Sequence, residues 1–181
     1  MVTQTRLSVE EFERIAALPE NADKRLEYWD GEIIEVVSNN YASKVAARLL
    51  IEIGIINKHE NLGYITGADG GYMVSGHRYI PDVAFMSKLR QSEQPHVSWN
   101  PVAPDLAIEV VSPTDLPKDI TDKVVSYLAA GTLVWVVYPD DEQVKVYQPG
   151  QPPQTIDVNG VLDGGKLLPG LTVALKDIFA D

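Results

Sequence analysis

Asp82, Glu109 and Lys123 are charged residues at positions where the chain around them is apolar. Asp82 lies in Tyr79-Ile80-Pro81-Asp82-Val83-Ala84-Phe85, and Glu109 in Pro104-Asp105-Leu106-Ala107-Ile108-Glu109-Val110-Val111. A carboxylate between Ile108 and Val110 must be paired, protonated, ligated to a cation or turned to solvent, because burying it alone costs several kcal/mol. Two carboxylates brought together repel unless one takes up a proton or a cation sits between them. A hard divalent ion such as Mg²⁺ resolves that conflict, since it accepts one or two carboxylates, keeps several waters and contacts phosphate oxygens. It can then polarise a phosphate and lower the pKa of a bound water. A nearby lysine would hold that water or stabilise the charge accumulating on the phosphate. The plainer alternative is a structural ion pair between Glu109 and Lys123, with Asp82 at a strand end facing water.

The elements needed to bring these groups together are two adjacent strands and a helix. The stretch from Asp115 to Ala130 reads as that helix, with Ile120, Lys123, Val124 and Tyr127 at i, i+3, i+4 and i+7, so Lys123 interrupts the inward stripe. Lys123 lies six residues past Pro117, a rise of about 9 Å if the helix runs back over the strand. Glu109 sits two residues before Val111, about 7 Å back from the strand end. The two levels match.

With an Asp, a Glu and a Lys converging, the chain resembles the PD-(D/E)XK nuclease superfamily, through Pro81-Asp82 and Glu109 on the next strand. It is most similar to the putative restriction endonuclease family, in which the following helix supplies the lysine. The residue two after Glu109 is Val111, so the literal E-x-K pattern is absent and Lys123 carries the likeness. Further stretches resemble the same family: Asn40-Tyr41-Ala42-Ser43 at a helix start, the glycine-rich Thr66 to Tyr72, Ser112-Pro113-Thr114-Asp115, Gly131 to Pro139, and Leu168-Pro169-Gly170. The resemblance implies metal binding by Asp82 and Glu109 and a general-base or charge-stabilising role for Lys123. It adds Glu27 as a further metal ligand, the early acid common in the superfamily, although a hairpin residue of this kind more often faces solvent. It also implies a homodimer, since one such site cuts one strand.

Composition bounds these expectations. The chain has 181 residues, 45% hydrophobic and 23% charged, which suits one domain over residues 1–181. No apolar run approaches the roughly 18 residues of a membrane span, the N-terminus lacks a signal peptide's apolar stretch, and a cytoplasmic location is expected. Without cysteine there are no disulfides or thiolate metal sites. The net charge of −11 and pI of about 4.6 run against a broad basic face for DNA. A local basic rim from His77, Arg78, Lys88 and Arg90, which bracket Asp82, is the expectation that would reconcile the two.

Along the rest of the chain, Ser8-Val9-Glu10-Glu11 is a capping box opening a helix to about Leu18. Arg25 to Trp29 and Glu32 to Val37 flank Asp30-Gly31 as a hairpin. Asn40 to Glu60 forms a long helix on the stripe Val45, Leu49, Ile53 and Ile56. Asn40, Tyr41 and Ser43 could orient substrate phosphate at its start, where free N–H groups favour anions, while capping accounts equally for Asn40 and Ser43. Short strands are expected at Tyr64 to Thr66 and Tyr72 to Val74, with the intervening glycines serving turns. Lys88 to Pro104 reads as a mobile loop beside the site. The apolar Leu133 to Tyr138 is a doubly covered strand parallel to that of Glu109, with Val144 to Tyr147 pairing back on it. Strands at Thr155 to Val158 and Leu171 to Val173 close the chain. His59, His77 and His96 lack metal-ligand spacing, and Ser112 lacks a nucleophile-elbow context.

The fold expected is α/β, a restriction-endonuclease-like mixed central sheet flanked by helices. The leading function is Mg²⁺-dependent hydrolysis of phosphodiester bonds in nucleic acid, DNA foremost, with Mn²⁺ as a substitute ion and no membrane partner. Two alternatives stand beside it: a catalytically inactive nuclease-fold binding module, and a metal-dependent hydrolase of a small phosphorylated molecule, which needs no basic groove.

Overall fold

Asp30 and Gly31 adopt φ of 47° and 95°, the pair of positive dihedrals that lets a two-residue turn follow the strand twist. In the computed structural model of the chain, which describes residues 6–180, they join β1 (Leu26–Trp29) to β2 (Glu32–Glu35), in register from Leu26↔Glu35 to Trp29↔Glu32. Before the hairpin lies α1 (Val9–Ala16), whose capping box is formed: Ser8 Oγ accepts the Glu11 N–H, and the Glu11 carboxylate accepts that of Ser8. Phe12 of α1 is fully buried against Tyr28 and Trp99.

The long helix α2 (Asn40–Glu60) begins after Asn39, whose side chain accepts the Ala42 N–H, and ends at Asn61 in the left-handed conformation. Then follow β3 (Gly63–Gly67), β4 (Gly71–Val74), β5 (His77–Tyr79), β6 (Val83–Ser87), β7 (Trp99–Asn100), β8 (Leu106–Val110), α3 (Pro117–Ala129), β9 (Leu133–Tyr138) and β10 (Gln143–Tyr147). The last elements are β11 (Gln154–Ile156), β12 (Val161–Asp163), β13 (Thr172–Ala174) and α4 (Leu175–Phe179).

The strands form a six-stranded sheet, β11-β10-β9-β8-β6-β3, a five-stranded sheet, β2-β1-β5-β4-β7, and the ribbon β12-β13. The larger sheet is mixed: β8 and β9 run parallel through the α3 crossover, and its other pairs are antiparallel. Alternation along β8 sorts its faces. Leu106, Ile108 and Val110 pack with Val45, Leu49 and Ile53 of α2 and with Ile178 and Phe179 of α4. Ala107 packs with Val124 and Tyr127 of α3 and with Tyr72 and Tyr79 of the smaller sheet, and Glu109 shares that second face. Among the described residues no helix is long and apolar enough to cross a membrane.

Two expectations are corrected. Tyr79 to Phe85 is not one strand: β5 ends at Tyr79 in the five-stranded sheet, β6 starts at Val83 in the six-stranded one, and Ile80-Pro81-Asp82 crosses between them. Pro81 has no N–H to give to a ladder, and the Ile80 N–H goes instead to Glu27 Oε1. The stretch from Lys88 to Pro104 carries β7 and is tied down by paired Gln91 and Asn100 amides and by Arg90 on Asp105. It packs toward α1 rather than beside Asp82. The strand β12 and the helix α4 were not anticipated.

Candidate active site

The two sheets meet at a buried cluster of charge. Lys123 Nζ, from α3, donates to Glu109 Oε2 at 2.9 Å and to Glu27 Oε1 at 3.0 Å. Glu27 is 0% exposed, Glu109 6% and Lys123 5%, so all three charges are desolvated and each depends on its partners. The remaining carboxylate oxygens are also met: Trp29 Nε1 donates to Glu27 Oε2 at 2.7 Å, and the Tyr127 hydroxyl donates to Glu109 Oε1 at 2.9 Å. The ammonium lies 5.6 Å and 5.4 Å from the ring centroids of Trp29 and Tyr79, within cation–π range.

Asp82 stands at the sheet-to-sheet crossing beside this cluster. Its Oδ2 accepts the Val110 N–H at 2.8 Å, and among the described residues nothing donates to Oδ1. Among the described residues, Oδ1 alone of the six oxygens on Glu27, Asp82 and Glu109 lacks a donor. Asp82, Glu109, Glu27 and Lys123 all line one cavity of about 380 Å³, closed on its other sides by the end of β2 and the start of α3. Glu35, Asp115 and Asp119 bring its carboxylates to six, with Lys123 the one ammonium.

Burial pushes the Asp82 carboxyl above its ordinary range, against the Val110 N–H, Lys123 and Arg25, which favour the anion. Burial likewise raises Glu109, with Lys123 opposing and Glu27 and Asp82 adding to the rise. For Lys123 burial acts to lower the pKa, but Glu109 and Glu27 outweigh it and the pKa is raised, keeping an ammonium. Burial raises Tyr79 to about 12 and Tyr127 well above its usual value, so both stay neutral donors.

The structure therefore brings Asp82, Glu109, Lys123 and Glu27 together, and Glu27 is not on a solvated face. Asn40, Tyr41 and Ser43 are elsewhere: none lines the cavity, Asn39 rather than Asn40 caps α2, and the Tyr41 hydroxyl donates to Phe179 O. The expected basic rim is not formed by the four residues named for it. Arg78 pairs with Glu13, Arg90 with Asp105, Lys88 Nζ donates to Asn61, His77 lies 3.9 Å from Asp30, and none of them lines the cavity. The glycines after β3 serve turns and close packing; a Cβ on Gly71 would lie 2.5 Å from the Trp99 ring. Sequence reading missed Trp29 and Tyr127 as partners of the two glutamates, although Tyr127 lies one turn after Lys123 on the same inward stripe.

Among the described residues no group of three or more His, Cys, Asp or Glu side chains is gathered to hold a metal by protein ligands alone. The donors present still fit a hard divalent ion. They are all oxygen, they carry excess negative charge, and Asp82 Oδ1 has no competing donor, as suits an ion that takes one or two carboxylates and keeps its waters.

Comparison with known proteins bears on the family and the fold. The model of a family described as Uma2, Putative restriction endonuclease, matches residues 9–176. No curated protein matches the chain. A crystal structure of a putative nuclease belonging to DUF820 from Anabaena variabilis superposes with a TM-score of 0.84 at 23% identity, over 96% of this chain and 97% of that one. At that identity the likeness is one of fold.

Proposed function

We propose, on the premise that the chain belongs to the Uma2 putative restriction endonuclease family, that it is a metal-dependent endonuclease cutting phosphodiester bonds in DNA. The observation carrying this reading is the bond from Lys123 to Glu109, made from the helix after the Glu109 strand, with the open oxygen of Asp82 in the same cavity.

Asp82 and Glu109, with Glu27 behind them, would hold Mg²⁺ or Mn²⁺. A bound ion of this kind polarises the phosphate and lowers the pKa of a coordinated water. Lys123, fixed as an ammonium by two carboxylates, is a poor base. Its part is to donate to the phosphate oxygens as negative charge builds on them. Tyr127 and Trp29 fix the planes of Glu109 and Glu27, so the carboxylates need not reorganise during the reaction. A homodimer would bring two such sites to the two strands.

One observation favours a second reading. Six acids against one ammonium along the cavity suit a small phosphorylated substrate that needs no extended basic groove.

Calorimetric titration of the whole chain with Mg²⁺ and Mn²⁺, wild type beside Asp82→Ala, tests the metal site: binding that the substitution abolishes is expected. Binding by neither leaves only an inert nuclease-fold module, and equal binding by both would place the ion away from Asp82. Nicking of supercoiled plasmid, against hydrolysis of a small phosphodiester, then separates the substrate classes.

A further inference from the structure

With Lys123 held between two carboxylates, the cavity needs another cation to receive an anionic substrate, and the β1–β2 hairpin supplies one. The Arg25 carbonyl accepts the Val36 N–H at 2.8 Å, extending the ladder one step beyond Leu26↔Glu35. Leu26 and Tyr28 turn inward with Phe12 beneath α1. Arg25 therefore shares the opposite face with Glu27. On that face the cross-strand partners are Glu27 with Ile34 and Arg25 with Val36, and Glu27, Ile34 and Val36 all line the cavity.

Arg25 is half-buried, yet among the described residues it forms no ion pair within 4.0 Å and no side-chain hydrogen bond. Two other arginines differ in this respect: Arg78 and Arg90 are both paired with carboxylates. Its charge is nevertheless felt at Asp82, where it favours the carboxylate. Arg25 is not itself among the lining residues, but it stands two residues from Glu27 on the same strand face and opposite Val36, which both line the cavity. A guanidinium there with no carboxylate of its own is available to an incoming anion.

We propose that Arg25 is the substrate-binding residue of the site, gripping the non-bridging oxygens of a phosphodiester whose phosphorus lies toward Asp82. The assignment rests on the phosphodiesterase reading above for the identity of the anion. The planar fork of Arg meets two phosphate oxygens at once, which a lysine ammonium does not. It also gives an acidic chain a specific grip on a backbone that its net charge repels.

Binding can be read independently of cutting. Fluorescence anisotropy of a labelled oligonucleotide duplex with the whole chain, in Mg²⁺ and across a salt series, is measured for wild type, Arg25→Gln and Arg25→Lys. Arg25→Gln is expected to weaken binding roughly tenfold for every duplex sequence and to reduce the salt slope by about one, with Arg25→Lys recovering the slope but only part of the affinity. Circular dichroism and the thermal midpoint establish that each variant is folded. An Arg25→Gln chain with wild-type affinity and slope would make Arg25 a solvated surface charge and overturn the assignment, as would a wild type with no affinity for the duplex. A wild type that binds through Arg25 and leaves every strand intact defeats the hydrolase reading while Arg25 keeps its role.

Discussion

Lys123 and Glu27 meet at 3.0 Å across 96 residues of sequence, and their pairing bridges the two sheets. Glu27 comes from the middle of the smaller sheet's hairpin, Lys123 from the helix laid on the larger sheet. Because Glu109 takes the same ammonium, one buried cation stands between two carboxylates that would otherwise face each other. The proposed chemistry and the joint between the sheets use the same atoms.

Lys123→Met should therefore destabilise the fold more than an ordinary truncation would. It leaves Glu27 and Glu109 buried without a counter-charge, and breaking a buried pair in this way costs about 3–5 kcal/mol. Urea denaturation should show that loss, and the double variant Glu27→Gln/Lys123→Met should recover part of it. A Lys123→Met midpoint equal to that of wild type would contradict the account.

Asp82 gives a pH dependence of defined sign. Burial raises its folded pKa above the ordinary 3.8, so the folded chain holds this proton more tightly than the unfolded chain. The associated stability is fully present below the ordinary value and is lost as pH rises through the folded one. Asp82→Asn cannot titrate and should escape that loss, so its stability relative to wild type should climb from acid toward neutral pH. Denaturation curves at a series of pH values check this; a difference that stays flat would refute it.

The sequence made the chemistry more legible than the architecture. Lys123 showed itself as a charge on an apolar helical stripe, and Glu109 as one in an apolar strand, because burial makes a lone charge conspicuous. Glu27 gave no such sign: Leu26-Glu27-Tyr28-Trp29 alternates like a half-solvated strand, and only the approach of a second sheet buries it. The sheet change at Pro81 escaped notice because apolar residues lie on both sides of it, and periodicity cannot tell a strand that continues from one that crosses to another sheet. Tyr127 read as one more member of the inward helical stripe and Trp29 as the end of a hairpin strand, since a ring with a polar tip reads the same whether or not that tip holds a carboxylate. The phosphate role given to Asn40, Tyr41 and Ser43 followed from a helix start alone, and a helix start does not say which cavity it faces.

Added Mg²⁺ should stabilise the folded chain, because an ion that binds only the folded state contributes about 2.7 kcal/mol at a hundred times its dissociation constant. The thermal midpoint of wild type should rise with Mg²⁺ and fall back on chelation. Asp82→Asn keeps an oxygen for the Val110 N–H but loses a charged ligand, so its midpoint should respond far less. Equal shifts in the two proteins would place the ion elsewhere.

Tyr127→Phe separates holding the carboxylate from filling the core. The ring stays, and only the hydroxyl that donates to Glu109 Oε1 is lost, leaving that buried oxygen without a donor at a cost of about 1–3 kcal/mol. Glu109 can then turn about its last bond, so turnover should fall by roughly tenfold or more while KM changes little, because Tyr127 bears on Glu109 and not on the substrate. Tyr79→Phe is the matched comparison, since the Tyr79 hydroxyl bonds Ser126 Oγ at 3.3 Å and no carboxylate. Its loss should leave turnover within about twofold of wild type. Steady-state kinetics on the two variants, with denaturation midpoints beside them, decide the matter: equal losses of turnover would mean that ring packing, not the grip on Glu109, is what Tyr127 contributes.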